Sequence, residues 1–515
     1  MKNITSKKNR LFSDQLDKNY LTDTKPAGYS WFVENFNLNV MPHWHISAIS
    51  TATIHKTVNN NGTITDIYPK FYQPQETVGA HLEFALKYDG INLSYLSLIF
   101  KIADEQDVLL YIKKTPTGKY ARRIWFLFEF LTQKELPISD IIQGNYIPLL
   151  EPDKYYTNTQ KQQMKRFRVI DNLLGGYKFC PIIRRSEKLK NMELQNLTKK
   201  CEEIIISYPN EILKRALSYL YKKETKSSFQ IENINPDSSR AERFIGLLEL
   251  AEHQDFCHKN LLIELQNRTV EKRFANQDYR TDQNYIGQTV SYQDHIIHYI
   301  SPSPEHLPEL MEGLLDSHQI MKNADIPAIV HAAAVAYGFV FFHPFDDGNG
   351  RIHRFLIHNI LSVQGVVPKG LMFPVSAVML KNRDLYDASL EAYSKDLMKL
   401  INYTLDDMGK ITVHNDVSCW YSYIDMTCQA ESLYDFIKLT VENELNQELE
   451  FIVSYDKVKK SIQNIVDMPD RLIDLFIRLC LQNNKTLSGI KRASHFAFLT
   501  DKEVQLMEKA VQDNM

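Results

Sequence analysis

The sequence predicts a mainly α protein, and three observations carry that prediction. Residues 326–342 (IPAIVHAAAVAYGFVFF) form an Ala-rich apolar run long enough for a buried helix. Residues 352–361 read as a second helix, separated from the first by a short glycine-containing break. Residues 210–226 place Ile212, Leu213, Ala216, Leu217 and Leu220 at helical spacing.

The first twenty residues are polar and lack the apolar core of a secretory signal. His43 and His45 stand two apart, but no further ligand set accompanies them, so they are expected as surface or core histidines. Asn59-Asn60-Asn61-Gly62 reads as a turn between the β-branched runs 51–58 and 63–67, the pattern of a small hairpin. Residues 91–102 and 121–132 (ARRIWFLFEFLT) are expected as buried helices. Ser303 and Pro304 open a helix whose apolar face holds Leu307, Leu310, Met311, Leu314 and Leu315. The tail is helical in pattern and carries a capping box, Thr500 with Glu503. Three regions follow: 1–199, mostly helical with the hairpin; a core at 200–409; and a helical domain at 410–515.

A chain of 515 residues has room for two to four domains. Apolar residues make up 44% and charged residues 24%, an ordinary globular balance. The net charge of -3 gives no electrostatic case for nucleic acid as the main partner. Six scattered cysteines without a C-x-x-C pair suit reduced thiols in a cytoplasm. No apolar run approaches membrane-spanning length. Lys485, Lys491, Arg492 and Lys502 support a rival reading, a winged-helix or other helix-turn-helix module in the tail that contacts DNA. The charge balance favours a solvated bundle with a basic edge.

The chemistry concentrates in residues 343–354, HPFDDGNGRIHR. His343 is the candidate general base, because imidazole accepts protons near neutral pH. Asp347 is a hard oxygen ligand suited to Mg²⁺. Gly348 and Gly350 allow a tight turn and close approach to a ligand, and Asn349 with neighbouring N–H groups suits an anion nest. Arg351 and Arg354 are three apart on one helix face, and guanidinium forks match phosphate oxygens.

This segment resembles the Fic family signature, His-x-Phe-x-(Asp/Glu)-Gly-Asn-Gly-Arg-x-x-Arg, at every specified position. The resemblance implies a Fic-type helical core at 200–409 and transfer of AMP from ATP to a Ser, Thr or Tyr hydroxyl of a protein. His343 then resembles the base and Phe345 the buried anchor of the loop. Asp347 resembles the Mg²⁺ ligand. Gly348, Asn349 and Gly350 look like the anion hole for the α- and β-phosphates, Arg351 a phosphate contact, and Arg354 the holder of the γ-phosphate. Gly350 stands where the phosphorylating Doc branch has Lys.

Ser228, Glu232 and Asn233 fit (Ser/Thr)-x-x-x-Glu-(Gly/Asn). By itself this reads as a helix C-terminus capped by Asn233. Beside the motif it is similar to the family's N-terminal inhibitory pattern, on a helix over about 210–233, with Glu232 competing for Arg354. Residues 279–287 resemble the lead-in to a flap at about 285–300 that positions the target by strand addition; Gly287 is followed by Gln288 where the usual flap has Gly-Gly. Tyr386 is read either as the adenine contact or as a core aromatic.

The implied partners are ATP with Mg²⁺ and a protein carrying an accessible hydroxyl. A homodimer is compatible with this, and no membrane is involved. The alternatives are removal of AMP with Glu232 positioning a water, another nucleotide donor such as UTP or GTP, DNA binding by the tail, and an inactive interaction scaffold. The intact motif argues against the last.

Overall fold

The structure is a computed structural model, and it describes residues 24–51, 53–60, 62–291 and 294–515. It is mainly helical, with four small sheets. The first twenty residues, Asn61 at the expected N-terminal turn, and residues 292–293 at the expected flap tip lie outside the described residues.

Two compact units emerge, both discontinuous in sequence. The first comprises Met1–Gln195, Asp237–Gln364 and Asn382–Tyr434. The second comprises Asn196–Pro236, Gly365–Lys381 and Asp435–Met515. Residues of the 200–409 region therefore contribute to both units.

In the first unit, the expected hairpin is the edge of a larger mixed sheet. Strands β1 (Thr24–Ala27), β2 (His45–Ser50), β3 (Lys56–Asn60) and β4 (Thr63–Pro69) lie in the order β1-β2-β4-β3. β2 pairs with β4 in parallel; the other two pairings are antiparallel. The hairpin turn was legible because it is local. β2 was not, because Ile46 to Ser50 are all buried and show no two-residue alternation. A second small sheet joins β5 (Ile147–Pro148), β6 (Gln162–Met164) and β7 (Val169–Asp171). The N-terminal region is thus α plus β, less helical than expected.

Both histidines of the first sheet belong to its core. His43 is 4% exposed. His45 bridges two carboxylates, Nε2 to Asp66 at 2.8 Å and Nδ1 to Asp89 at 3.2 Å. Burial alone would depress the His45 imidazole, but Asp89 and Asp66 outweigh it and raise its pKa. Asp66 is also partly desolvated, yet Thr57 and His45 hold its carboxyl below the usual range. Burial dominates at Asp89 and raises it.

The expected helices are present as Leu93–Ile102 and Lys119–Thr132. The core of the unit is the helix Ala328–Phe342, buried at every position from Ile329 to Phe342. A helix apolar on all sides is stable only when surrounded. The helix expected at Ser303 begins at Leu307 and runs to Lys322, preceded by a turn in which Leu307 N–H donates to the Ser303 carbonyl.

In the second unit, the helix Asn210–Ile231 packs beside Val375–Lys381. Buried Glu224 accepts from the Ser376 N–H and hydroxyl. Lys223 pairs with Glu444 and Glu448. The tail is helical, with a core that includes Ile462, Ile473, Phe476, Ile477, Phe496, Met507 and Val511. Its last helix, Asp501–Asn514, opens with the expected Thr500–Glu503 capping box. Residues 414–515, all described, contain no strand, so the wing of a winged helix is absent. Arg492, one of the four basic residues of the DNA reading, pairs with Asp501. No helix among the described residues is long and apolar enough to cross a membrane.

His45→Ala leaves Asp89 buried beside an uncharged gap. The expected loss of stability is about 3–5 kcal/mol, by analogy with breaking a buried pair. A raised folded-state pKa means that the charged imidazole stabilises fully below its unfolded value, about 6.5, and loses that contribution as pH rises through the folded value. The difference in melting temperature between wild type and His45→Ala should therefore shrink from mildly acidic to mildly alkaline pH. A difference that grows with pH would contradict the bridge.

Candidate active site

The helix Ala328–Phe342 ends at His343, which caps it in the left-handed region with φ 51°. Residues 344–347 form a tight turn, and Gly348 opens the next helix, Asn349–Val363. Gly348 has φ 91°, and a Cβ there would lie 2.9 Å from Val270 Cγ1. Conformation and space both demand glycine at this position.

The turn is closed from within by Asn349. Its amide donates to the Phe345 carbonyl at 2.7 Å, and its Oδ1 accepts from Phe345 N–H at 3.0 Å. Phe345 is fully buried, as an anchor should be. The Asn349 side chain is thus committed to loop closure. What it offers an anion is its backbone N–H, beside Gly350 in the first turn of the motif helix, where N–H groups point out of the helix end.

His343 Nδ1 lies 3.1 Å from the Val340 carbonyl. A carbonyl can only accept, so Nδ1 carries the proton in neutral imidazole and Nε2 carries the lone pair. Asp347 is about one-third exposed; its Oδ1 accepts from Arg351 Nη2 and from Gly348 N–H, both at 2.6 Å. Arg351 is fully buried and also reaches the Thr269 carbonyl at 3.4 Å. These contacts place Arg351 beneath the loop, where it holds Asp347. A direct phosphate contact by Arg351 requires that pair to rearrange. Arg354 is 2% exposed and donates to the Tyr386 hydroxyl at 3.4 Å. Tyr386 is itself buried, so it meets the motif through Arg354. Between the two arginines, His353 is buried against the Ala336 carbonyl at 2.9 Å, and burial depresses its pKa to about 3.

Arg280 does structural work that the sequence did not announce. Its guanidinium donates to four backbone carbonyls: His343 at 2.8 Å, Asp282 at 2.8 Å, Pro302 at 2.6 Å and Phe342 at 3.3 Å. Its own N–H donates to the Pro344 carbonyl at 2.8 Å. Burial lowers its pKa to about 10, which still leaves it charged near neutral pH. Buried Gln266 likewise pins the far side, donating to the Asp347 carbonyl at 3.3 Å. Neither residue sits in a spacing pattern; each is defined by the carbonyls it meets.

The flap is an antiparallel hairpin, β8 (Tyr285–Ser291) with β9 (Asp294–Ile300). A register shift falls between Ile286 and Gly287. A Cβ at Gly287 would meet the Ile296 carbonyl at 2.7 Å, so this position requires glycine. Tyr299 ties the hairpin to the buried helix through the Phe341 carbonyl at 2.5 Å. Ile286 and Ile296 are 43% and 50% exposed.

Glu232 and Ser228 belong to the second unit. Ser228 is buried. Glu232 is the C-cap of Asn210–Ile231, and Asn233 follows at φ 58°. Ile234 N–H donates to the Phe229 carbonyl at 3.1 Å and Asn233 N–H to Gln230 at 3.0 Å. That is a Schellman ending, which requires a left-handed residue after the cap. It explains why Gly or Asn follows the glutamate.

With this geometry in view, the sequence comparisons point to one class. Residues 256–361 match the Fic/DOC family. The chain is 28% identical over 168 residues to the protein adenylyltransferase fic-1 of Caenorhabditis elegans, covering 31% of this chain and 29% of that protein. It is 30% identical over 119 residues to the protein adenylyltransferase Fic of Nematostella vectensis, covering 23% and 26%. The match thus spans under a third of either relative. Among solved structures it is similar to a Fic family protein from Desulfovibrio desulfuricans G20, with TM-score 0.38 and 16% identity over 54% of this chain and 80% of that one. A Fic domain signalling protein from Bacteroides thetaiotaomicron gives TM-score 0.37 and 16% identity, over 51% and 97%.

Asn349→Ala removes both bonds that close the turn. The Phe345 amide, otherwise buried and paired, should exchange with solvent roughly tenfold faster or more, because an unsatisfied buried group costs about 1–3 kcal/mol. Unchanged protection at Phe345 would show that the turn closes without the clasp.

Proposed function

We infer that the chain transfers AMP from ATP to a hydroxyl of a protein target, and that Glu232 holds this activity low. The observation that carries the reading is the arrangement of one twelve-residue loop. It joins an imidazole oriented by Val340 to a helix start whose first two turns carry Arg351 and Arg354. The target oxygen attacks the α-phosphorus, the bond to the β-phosphate oxygen breaks, and diphosphate leaves. The hydroxyl proton passes to His343 Nε2. The helix N-terminus stabilises charge on the α- and β-phosphates. Arg354, steadied by Tyr386, is assigned the γ-phosphate.

Asp347 suits Mg²⁺. A single partly exposed carboxylate is sufficient for an ion that arrives with phosphates and keeps several waters. One of its oxygens is fixed by Arg351 and Gly348 N–H, which sets the orientation of the carboxyl group. When bound, the ion neutralises charge on the phosphates. The two-stranded flap supports docking of an extended target segment by backbone pairing, with Ile286 and Ile296 as apolar contacts.

His343→Ala should lower AMP transfer by about 10²–10⁴-fold. ATP affinity, read by isothermal titration, should change little because the phosphate contacts remain. Full labelling by this variant would refute the base. Glu232→Gly should raise labelling from radioactive ATP by roughly tenfold or more, since a charge-assisted pair contributes about 1.5–3 kcal/mol. A fall in net turnover on an AMP-modified target would instead assign Glu232 to AMP removal.

A further inference from the structure

Away from the motif loop, the segment 255–257 joins the helices Ser238–Leu250 and Lys259–Thr269. Phe256 N–H donates to Asn359 Oδ1 at 2.9 Å and Cys257 N–H to Asp255 Oδ1 at 3.0 Å. This fold of the backbone brings an Asp255 carboxylate oxygen, the Cys257 sulfur and a His318 nitrogen within 4.8 Å of one another. Cys257 and His318 are 1% and 3% exposed. We propose that Asp255, Cys257 and His318 form a structural site for a Zn²⁺-class transition metal, with one water as the fourth ligand.

The donor set selects the metal. Thiolate, imidazole and carboxylate together suit Zn²⁺ and its neighbours and disfavour Mg²⁺ or Ca²⁺, which prefer oxygen. The charges close: one carboxylate and one thiolate balance a dication, so the buried site is neutral. Coordination requires Cys257 to release its thiol proton to solvent. Burial alone raises that thiol's pKa, and a bound metal reverses the preference. Next to the site is a cavity of about 10 Å³ edged by Asp255, His318, Lys322 and Asn359, roughly the space of one water.

The outer groups match as well. His318 Nε2 lies 3.0 Å from Asp255, and its Nδ1 lies 3.1 Å from His331 Nε2. Without metal, Gln364 donates to His331 Nδ1, His331 Nε2–H donates to His318 Nδ1, and His318 Nε2–H donates to Asp255; a metal at His318 Nε2 reverses this chain, with His318 Nδ1–H donating to His331 and the Gln364 amide turned to accept from His331 Nδ1–H. That is how metal-bound imidazoles are held by an outer partner. Without metal, the Asp255 carboxylate is held by His318 and by Lys322 Nζ at 2.7 Å. Lys322 is one-third exposed and can withdraw to solvent. It is therefore the cation that a metal must displace.

The test uses full-length, metal-stripped protein titrated with Co²⁺ in the absence of nucleotide. One equivalent should bind with tetrahedral visible bands and a thiolate-to-cobalt charge-transfer band, and Zn²⁺ should bleach both. Cys257→Ser should abolish the charge-transfer band, and His318→Ala should weaken binding at least tenfold. Circular dichroism confirms folding of each variant. Lys322→Met leaves all three ligands and removes the competing cation, so it should tighten Co²⁺ binding by about tenfold. No stoichiometric uptake, uptake without a thiolate band, or a band that survives Cys257→Ser would overturn the site. Weaker binding in Lys322→Met would overturn the displacement of Lys322.

Discussion

The first unit depends on how one buried helix is allowed to end. The helix Ala328–Phe342 runs through the core, so its last carbonyls have no access to bulk water, yet each needs a donor. Tyr299 supplies the donor for Phe341, His343 those for Phe339 and Val340, and Arg280 the one for Phe342. One guanidinium serves the carbonyls of Phe342 and His343 on the motif side and those of Asp282 and Pro302 at the base of the flap. The motif loop and the β8–β9 hairpin are thereby referenced to the same charged plane. His343 can take a left-handed cap conformation because the turn behind it is held twice, by Arg280 and by the Asn349–Phe345 clasp.

A consequence is that three guanidinium groups lie buried around the motif loop. Arg280, Arg351 and Arg354 are all nearly inaccessible, and Asp347 is the carboxylate that the loop sets against Arg351. Guanidinium groups tolerate this because they delocalise charge and remain protonated even when burial lowers their pKa.

The second unit uses the same kind of constraint on another helix end. The Schellman closure at Asn233 defines where the backbone of Glu232 lies, and Glu224 and Lys223 pin the helix more than two turns earlier to Ser376, Glu444 and Glu448.

The sequence by itself determined the local features. The flap hairpin followed from the family resemblance, whereas the two core helices, the glycine turn between them, the capping box at Thr500 and the helix end at Asn233 were legible in the residues themselves. Each depends on neighbours within a few positions: periodicity, a glycine, a cap. Only the tertiary structure decided the rest. It showed that Arg351 faces Asp347, that Asn349 closes the loop, that Tyr386 reaches Arg354, and that β2 lies parallel to β4 inside a mixed sheet. It also assembled Asp255 and Cys257 with His318, sixty residues away in the chain. These pairings depend on which buried carbonyl or charge lacks a partner once the helices have packed, and that need arises only in the folded core.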